Sequence, residues 1–462
     1  MTSFYDDGIH AGLKRCFDSG RTRPIDWRLS QLERLADFLR EEESAIFRAL
    51  EADFHKSPAE SFLTEIGYLA GEIRYVQRHL RRWMRARRVS VPLHYMPARA
   101  FVQREPLGVV LIIGAWNYPL QLCLAPLVGA LAGGNCAVIK PSELAPATSK
   151  LLSSSLPRYL DPDSVRIVEG GQEQSEELLR HHFDHIFFTG SSEKGRLVLQ
   201  AAACHLTPVT LELGGKCPCI VTPHANLRIA ARRIVWAKFL NAGQTCIAPD
   251  YLLVHESVEA RLLVLMREAI VRFYGNDPQS SPDYARIIDD RHFRRLSGYL
   301  QDGTLLAGGE VDLRERYISP SIIRPSGAGS PLMKDEMFGP VLPVISYSSL
   351  EDAVDTVRSG PESLAVYLFS RSSSEIRMVR DRTRSSGLCC NDLMFQASIP
   401  GLPFGGRGES GMGFYHGRAG FETFTVPRSV LLRRGFPDPD LRYPPYSPLK
   451  FSLLRRIVTI FS

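Results

Sequence analysis

The 462-residue sequence contains no run of eighteen apolar residues, which excludes a membrane-spanning helix on length alone. The strand-to-helix turn at 188–195 is not GxGxxG, and the sequence has no internal repeat, no low-complexity tract and no nucleic-acid-binding motif. The formal charge of +6 is too mild to imply a polyanionic partner. Nine cysteines, at 16, 123, 136, 204, 217, 219, 246, 389 and 390, are odd in number and show no repeated CxxC spacing. Neither a disulfide framework nor a metal site is expected, and a reducing, cytoplasmic setting fits. Residues 1–20 carry acids and no apolar run, so no secretory leader is expected. Hydrophobic content of 44% and charged content of 23% are those of a soluble globular protein, and the length calls for at least two cores.

What is present begins with helical periodicity. Leu29, Leu32, Leu35, Ala36 and Leu39 recur at helical spacing, and a second helix is expected over 57–83. It runs into Arg78, Arg81, Arg82, Arg85, Arg87 and Arg88, best read as a solvated helix face. From 108 a strand–helix rhythm starts: strands at 108–113, 136–139, 164–168, 185–188 and 209–211, with helices at 120–132, 173–180 and 192–203. Such alternation implies a parallel, doubly wound sheet whose ligands sit at the carboxyl ends of the strands. A second α/β unit follows residue 212, with strands at 251–254, 341–346, 365–369 and 387–390. The glycine-rich stretch 403–413 reads as loop. A last strand at 425–432 suits pairing with an alternating stretch at 98–106.

The chemistry centres on Asn241-Ala242-Gly243-Gln244-Thr245-Cys246, a small-residue loop between an amphipathic helix and a β-like run. A thiol there can be presented to a ligand as a nucleophile. Upstream, Glu212 ends a strand before two glycines, placed to activate water. Asn117, after the first strand, offers an amide donor to an oxyanion, or simply makes a turn. Lys140 and Glu143 end the second strand and suit ribose hydroxyls as well as an exposed turn. Gly190, Ser191 and Gly195 open a helix whose free N–H groups favour pyrophosphate. Glu336 and Phe338 beside a Gly-Pro turn suit a ribose and a nicotinamide face, although without the other motifs a capped loop is the better reading. Cys217 and Cys219 resemble half a metal site with no partner ligands around it. Cys389-Cys390 reads as core and edge of one strand.

Together the motifs resemble the aldehyde dehydrogenase superfamily, most closely its class 3 or fatty-aldehyde branch. The matching pieces are GAWNYP (114–119), KPSE (140–143), FTGSSEKG (188–195), TPVTLELGGKCPC (207–219), GQTCIAPDY (243–251), EMFGPVLPV (336–344) and PFGGRGESGMGFYHG (403–417). Their co-occurrence in order is specific although no single piece is. The resemblance implies an α/β fold of two doubly wound Rossmann-type domains plus a small β oligomerisation arm. Residues 1–85 and 107–211 would form the dinucleotide-binding domain, 212–424 the catalytic domain with the 403–413 loop near the site, 86–106 and 425–440 the arm, and 441–462 a basic amphipathic tail. It implies a homodimer that oxidises an aldehyde to a carboxylic acid with NAD or NADP. Cys246 would be the nucleophile, Asn117 the oxyanion donor and Glu212 the base, with Glu336 as an alternative base. Lys140, Glu143, Gly190, Ser191, Gly195, Glu336 and Phe338 would hold the cofactor. Lys194, at a position usually apolar in relatives, suggests use of both cofactors. Tyr68, Trp116, Tyr118 and Trp236 supply aromatic surface for a long aliphatic or aromatic aldehyde. The rival readings are a coenzyme-A-acylating enzyme, which has less need of Glu212, and a non-catalytic relative, which has no need of Cys246. A thiol hydrolase lacks a histidine in the motifs around Cys246.

The tail is amphipathic. On a helical wheel Ser452, Arg455, Arg456, Thr459 and Ser462 share one arc opposite Leu449, Phe451, Leu453, Leu454, Ile457, Val458, Ile460 and Phe461, and only Lys450 breaks the division. Residues 428–462 hold seven Lys or Arg and two Asp, a balance of +5. A short basic amphipathic helix reads as peripheral contact with an anionic membrane, or as packing on protein.

Overall fold

The computed structural model describes residues 7–461 apart from 328 and 437, so Ser462 of the tail wheel and residues 1–6 lie outside the described residues. Three sheets of three or more strands organise them. The first has six strands in the order Gly411–Met412, Val209–Glu212, His185–Thr189, Val109–Ile113, Cys136–Lys140 and Val165–Ile167. All are parallel except Gly411–Met412. The interior strands Val109–Ile113 and Cys136–Lys140 are buried and, apart from the terminal Lys140, apolar, as a sheet covered on both faces requires. Val109–Ile113 sits between Cys136–Lys140 and His185–Thr189, so strand order reverses there and a crevice opens at the carboxyl ends.

Helices Ile25–Glu41, Glu43–Phe54, Gly67–Trp83 and Gln121–Gly133 cover one face with a core that includes Leu35, Phe38, Ile73, Leu127 and Phe187. Helices Asp7–Asp18, Gln172–Arg180 and Ser192–Ala203 cover the other. The expected single helix over 57–83 is interrupted. Pro58–Ser61 forms a short helix, Phe62–Ile66 a π turn, and only Gly67–Trp83 a regular helix. That helix ends before Arg85, and Arg87–Val89 is instead the outer strand of the arm, so the basic cluster is not one helix face.

The second sheet has seven strands in the order Gly303–Ala307, Ser321–Pro325, Val341–Tyr347, Tyr251–His255, Pro218–Val221, Ser363–Phe369 and Ser385–Cys390. Three were not foreseen: the antiparallel edge strand Gly303–Ala307, its neighbour Ser321–Pro325, and the central Pro218–Val221. Pro218 is tolerated because it is the first residue of its strand. Cys217 and Cys219 are wholly buried core thiols there, and Cys389 and Cys390 are both half-buried on an edge strand.

The arm is Arg87–Val89, Ala98–Pro106 and Thr425–Arg433, antiparallel, with Ala98 opposite Arg433 and Pro106 opposite Thr425. The stretch 403–413 is not all loop. Gly411–Met412 pairs antiparallel with Val209–Glu212, setting Gly411 opposite Glu212. Gly411 has φ +135, and a Cβ there would stand 2.0 Å from the Leu211 carbonyl oxygen. Gly411→Ala is therefore expected to cost more than about 1 kcal/mol, read as a lowered urea midpoint. An unchanged midpoint would mean this pairing does not hold the end of the Glu212 strand.

Candidate active site

A cavity of about 630 Å³ opens at the carboxyl ends of the first sheet and reaches the second unit. Trp116, Asn117, Lys140, Glu143, Gly190, Ser191, Lys194, Glu212, Cys246, Glu336 and Phe338 all line it. Four successive strand ends deliver most of these, and Cys246 and Glu336 come from loops of the second unit.

The Cys246 loop follows helix Leu227–Phe239, whose first turn is capped by the Asn226 side chain accepting from the Ile229 N–H at 3.3 Å. It precedes strand Tyr251–His255. One amide hydrogen of Asn117 goes to the Gln244 carbonyl at 3.1 Å. That bond fixes the amide plane and leaves the second hydrogen for a ligand. Burial, and after it the charges of Glu336 and Glu212, push the Cys246 thiol up. The N–H groups of Cys246 and Ile247 act the other way, as donors to a thiolate.

Glu212 is buried, and both carboxylate oxygens lack a hydrogen-bond partner among the described residues. Burial alone pushes its carboxyl well above the usual range. Two unpartnered acceptors facing a cavity are a site for water or substrate. Glu336 differs in having a donor: the Gly215 N–H meets its Oε1 at 3.0 Å. Its carboxyl is raised by burial to about 7. The backbone that carries it is pinned at several points. Lys216 Nζ pairs with Asp250 and donates to the carbonyls of Leu332 at 3.0 Å and Asp335 at 2.7 Å. Asp250 Oδ1 accepts the Met337 N–H at 2.7 Å, and Arg295 donates to the carbonyls of Glu336 and Met337 at 3.1 and 2.8 Å.

Phe338 has a left-handed φ of 49 and meets Trp116 edge-on at 5.2 Å. Trp116 in turn meets His292 at 5.0 Å, and His292 Nδ1 lies 2.7 Å from Asp289 Oδ1. Arg291, His292 and Arg295 thus line the cavity although sequence reasoning missed them. The only local signal is the Asp289 cap on helix Asp290–Tyr299, which says nothing about a ligand.

A nicotinamide dinucleotide fits the residues present. Lys140 Nζ pairs with Glu143 at 2.8 Å on the rim. Helix Ser192–Ala203 points its N-terminus into the cavity beside Gly190 and Ser191, and Thr189 Oγ1 is buried without a partner among the described residues. A Cβ on Gly190 would strike the Phe188 ring and one on Gly214 the Glu336 carboxyl, so packing of these two cavity-lining side chains needs glycine at both positions.

Of the aromatic residues expected near the substrate, Trp116 lines this cavity and the other three do not. The Tyr118 hydroxyl contacts Thr245 Oγ1 at 2.6 Å, under the Cys246 loop. The Tyr68 hydroxyl contacts His416 Nδ1 at 3.0 Å, and Trp236 stacks on Phe395 at 5.8 Å.

The aldehyde dehydrogenase family model matches residues 9–430. The chain belongs to the aldehyde dehydrogenase family. It is 46% identical to mouse aldehyde dehydrogenase family 3 member B1 over 96% of this chain and 95% of that protein. It is 46% identical to rat family 3 member A2 over 95% and 91%. A substrate-bound Staphylococcus aureus AldH structure superposes with TM-score 0.95 at 38% identity, covering 98% and 99% of the two chains. The protein is an NAD(P)-dependent aldehyde dehydrogenase of the class 3 branch, with an aldehyde as its substrate.

Glu336→Gln removes one negative charge beside the thiol, so Cys246 is expected to ionise more readily. The pH profile of its alkylation by iodoacetamide should move to lower pH by about 0.5 or more. A profile that stays in place, or moves up, would mean that Glu336 is not electrostatically coupled to the sulfur.

Proposed function

We propose that Cys246 is the nucleophile, Asn117 the oxyanion donor and Glu212 the base in oxidation of an aldehyde to its acid. What supports this is the meeting of these three with a dinucleotide-sized cavity, reached from three separate parts of the chain. The Cys246 thiolate adds to the carbonyl carbon, and the new oxyanion takes hydrogen bonds from Asn117 Nδ2 and the Cys246 N–H. The nicotinamide supplies, when bound, the acceptor for the hydride that departs from this carbon. The thioester left on Cys246 is cleaved by water whose proton passes to Glu212, and the thiolate leaves. Lys140 and Glu143 would hold one ribose, Gly190, Ser191 and Gly195 would border the pyrophosphate, and Glu336 and Phe338 would hold the nicotinamide end.

The preferred substrates are long aliphatic or aromatic aldehydes. Supporting this, the rings of Trp116, Phe404 and Tyr415 line the cavity that holds Cys246. Glu212 favours hydrolysis over transfer to coenzyme A. With decanal, Cys246→Ser is expected to lower formation of reduced nicotinamide by about a thousandfold or more. Turnover at the wild-type rate would remove the basis of the mechanism.

The arm is an oligomerisation element of a homodimer. Leu431 and Leu432 lie on opposite faces of it and are 62% and 54% exposed, apolar surface suited to a second copy. The tail contacts an anionic membrane surface. It is the helix Pro448–Phe461, lying against the Leu93–Tyr95 turn with Leu454 and Ile457 half-buried. Leu449, Phe451, Leu453 and Val458 remain exposed. Lys450, the exception on the wheel, folds back to Asp440 and the Tyr443 carbonyl, both at 2.9 Å. No helix among the described residues is long and apolar enough to cross a membrane, so contact would be at the surface. Deletion after Tyr446 is expected to abolish flotation with anionic vesicles, and unchanged flotation would leave the helix as a packing element.

A further inference from the structure

Glu60 lies outside the cavity, on the short helix Pro58–Ser61, and is 8% exposed. Its Oε1 accepts the Asn241 N–H at 2.8 Å. Asn241 is fully buried and begins a turn in which three successive residues are left-handed: Asn241 at φ 53, Ala242 at 50 and Gly243 at 74. That conformation is costly for a residue with a Cβ, so two of the three must be held in it by contacts. Gly243 alone adopts it freely, and a Cβ there would stand 2.3 Å from the Gly339 carbonyl oxygen.

The turn is joined to both reacting groups. Asn241 Nδ2 donates to the carbonyls of Asn117 at 2.8 Å and Gln244 at 3.2 Å. The Gln244 carbonyl also takes the Asn117 amide hydrogen, and Gln244 Nε2 returns to the Asn241 carbonyl at 3.0 Å. Cys246 stands two residues beyond. The side-chain end of Asn241 thus holds the backbone of the oxyanion donor, and its backbone N–H is held by Glu60.

We propose that Glu60 is a positioning residue for aldehyde oxidation: by accepting the Asn241 N–H, its carboxylate holds the left-handed turn that aims Cys246 and orients the Asn117 amide. This rests on the assignment of Cys246 and Asn117 above. Lys56, Glu65, Asp283, Tyr118, Tyr274 and Tyr284 are the titratable groups that face Glu60. Burial raises its carboxyl to about 7, against the pull of Lys56 and the Asn241 N–H. Without the acceptor the Asn241 N–H is buried and unpaired, and the turn loses its anchor at its first residue.

The test uses full-length Glu60→Leu, Glu60→Asp and Glu60→Gln. Four quantities are measured: kcat with decanal, the NAD dissociation constant, the iodoacetamide alkylation rate of Cys246, and Tm. Glu60→Leu removes the acceptor and Glu60→Asp withdraws it by one methylene. Both are expected to lower kcat and alkylation about tenfold or more while NAD binding changes less than about twofold. Glu60→Gln keeps an acceptor and should stay within about threefold of wild type in both rates. A merely structural role would lower Tm without separating alkylation from NAD binding. Should Glu60→Leu not fold, the Asp and Gln variants decide alone. Wild-type rates in Glu60→Asp, or a loss in Glu60→Gln equal to that in Glu60→Asp, overturn the proposal. Full activity of Cys246→Ser would sink the nucleophile assignment instead. An inactive Cys246→Ser beside wild-type Glu60 variants sinks only the positioning role.

Discussion

Three groups that acquire negative charge share one poorly hydrated space around a single sulfur: Cys246, Glu212 and Glu336. In a low-dielectric pocket the two carboxylates resist ionisation of the thiol, and fixed donors favour it. Glu336 has the Gly215 N–H and sits near neutrality. Glu212 has no donor among the described residues, and burial pushes its carboxyl well above the usual range. Cys246 has its own N–H and that of Ile247. The two carboxyls are therefore separated by environment alone. One is raised to about 7 with a donor in place, and the other is raised with none among the described residues. Such a site favours passing charge from atom to atom over holding it.

That constraint explains the stiffness of the surrounding backbone. A donor that is to offset charge must not relax away when the charge appears. The loop bearing Glu336 is tied to Lys216, Asp250 and Arg295, none of which carries a reacting atom. The loop bearing Cys246 is tied through Gln244 to the carbonyl of Arg286 at 3.0 Å and the N–H of Ile288 at 3.0 Å. Strand ends of the first sheet supply the facing wall. The crevice thus joins two separately built units, and its geometry is set by hydrogen bonds from backbone to buried side chains.

Much of this was legible in the sequence, for a physical reason. A parallel sheet writes itself as apolar runs alternating with helical periodicity, and its ligands gather at one known edge. Gly114, Lys140, Gly190 and Glu212 were locatable because each follows such a run. The antiparallel pairing of Ala98–Pro106 with Thr425–Arg433 was legible from two alternating stretches. What was hidden depends on partners remote in the chain. The Pro218–Val221 strand is short and begins with proline, so nothing in its sequence says central strand. Gly411–Met412 is a strand only because Val209–Glu212 accepts it. His292 and Arg295 carry no motif, since a helix that lends two side chains to a cavity looks like any other. Tyr68, Tyr118 and Trp236 show the converse: aromatic type and nearness to a motif do not fix which side of a loop a ring occupies.

The buried pair Lys56–Glu65 gathers these threads. Both side chains are fully shielded and stand 3.4 Å apart, an arrangement that costs desolvation and stabilises a fold less than apolar packing of the same volume would. Its contacts suggest a different return. Glu65 Oε2 accepts the N–H groups of Leu120 and Gln121 at 2.9 Å, fixing the start of the helix that follows Asn117. Lys56 Nζ lies 4.6 Å from the centre of the Tyr118 ring, whose hydroxyl meets Thr245, the neighbour of Cys246. Apolar replacements could fill the space, but they could not orient a helix N-terminus and a tyrosine hydroxyl at once. Specific direction, supplied by charge held in place, is what the oxyanion donor and the thiol require from the helices behind them.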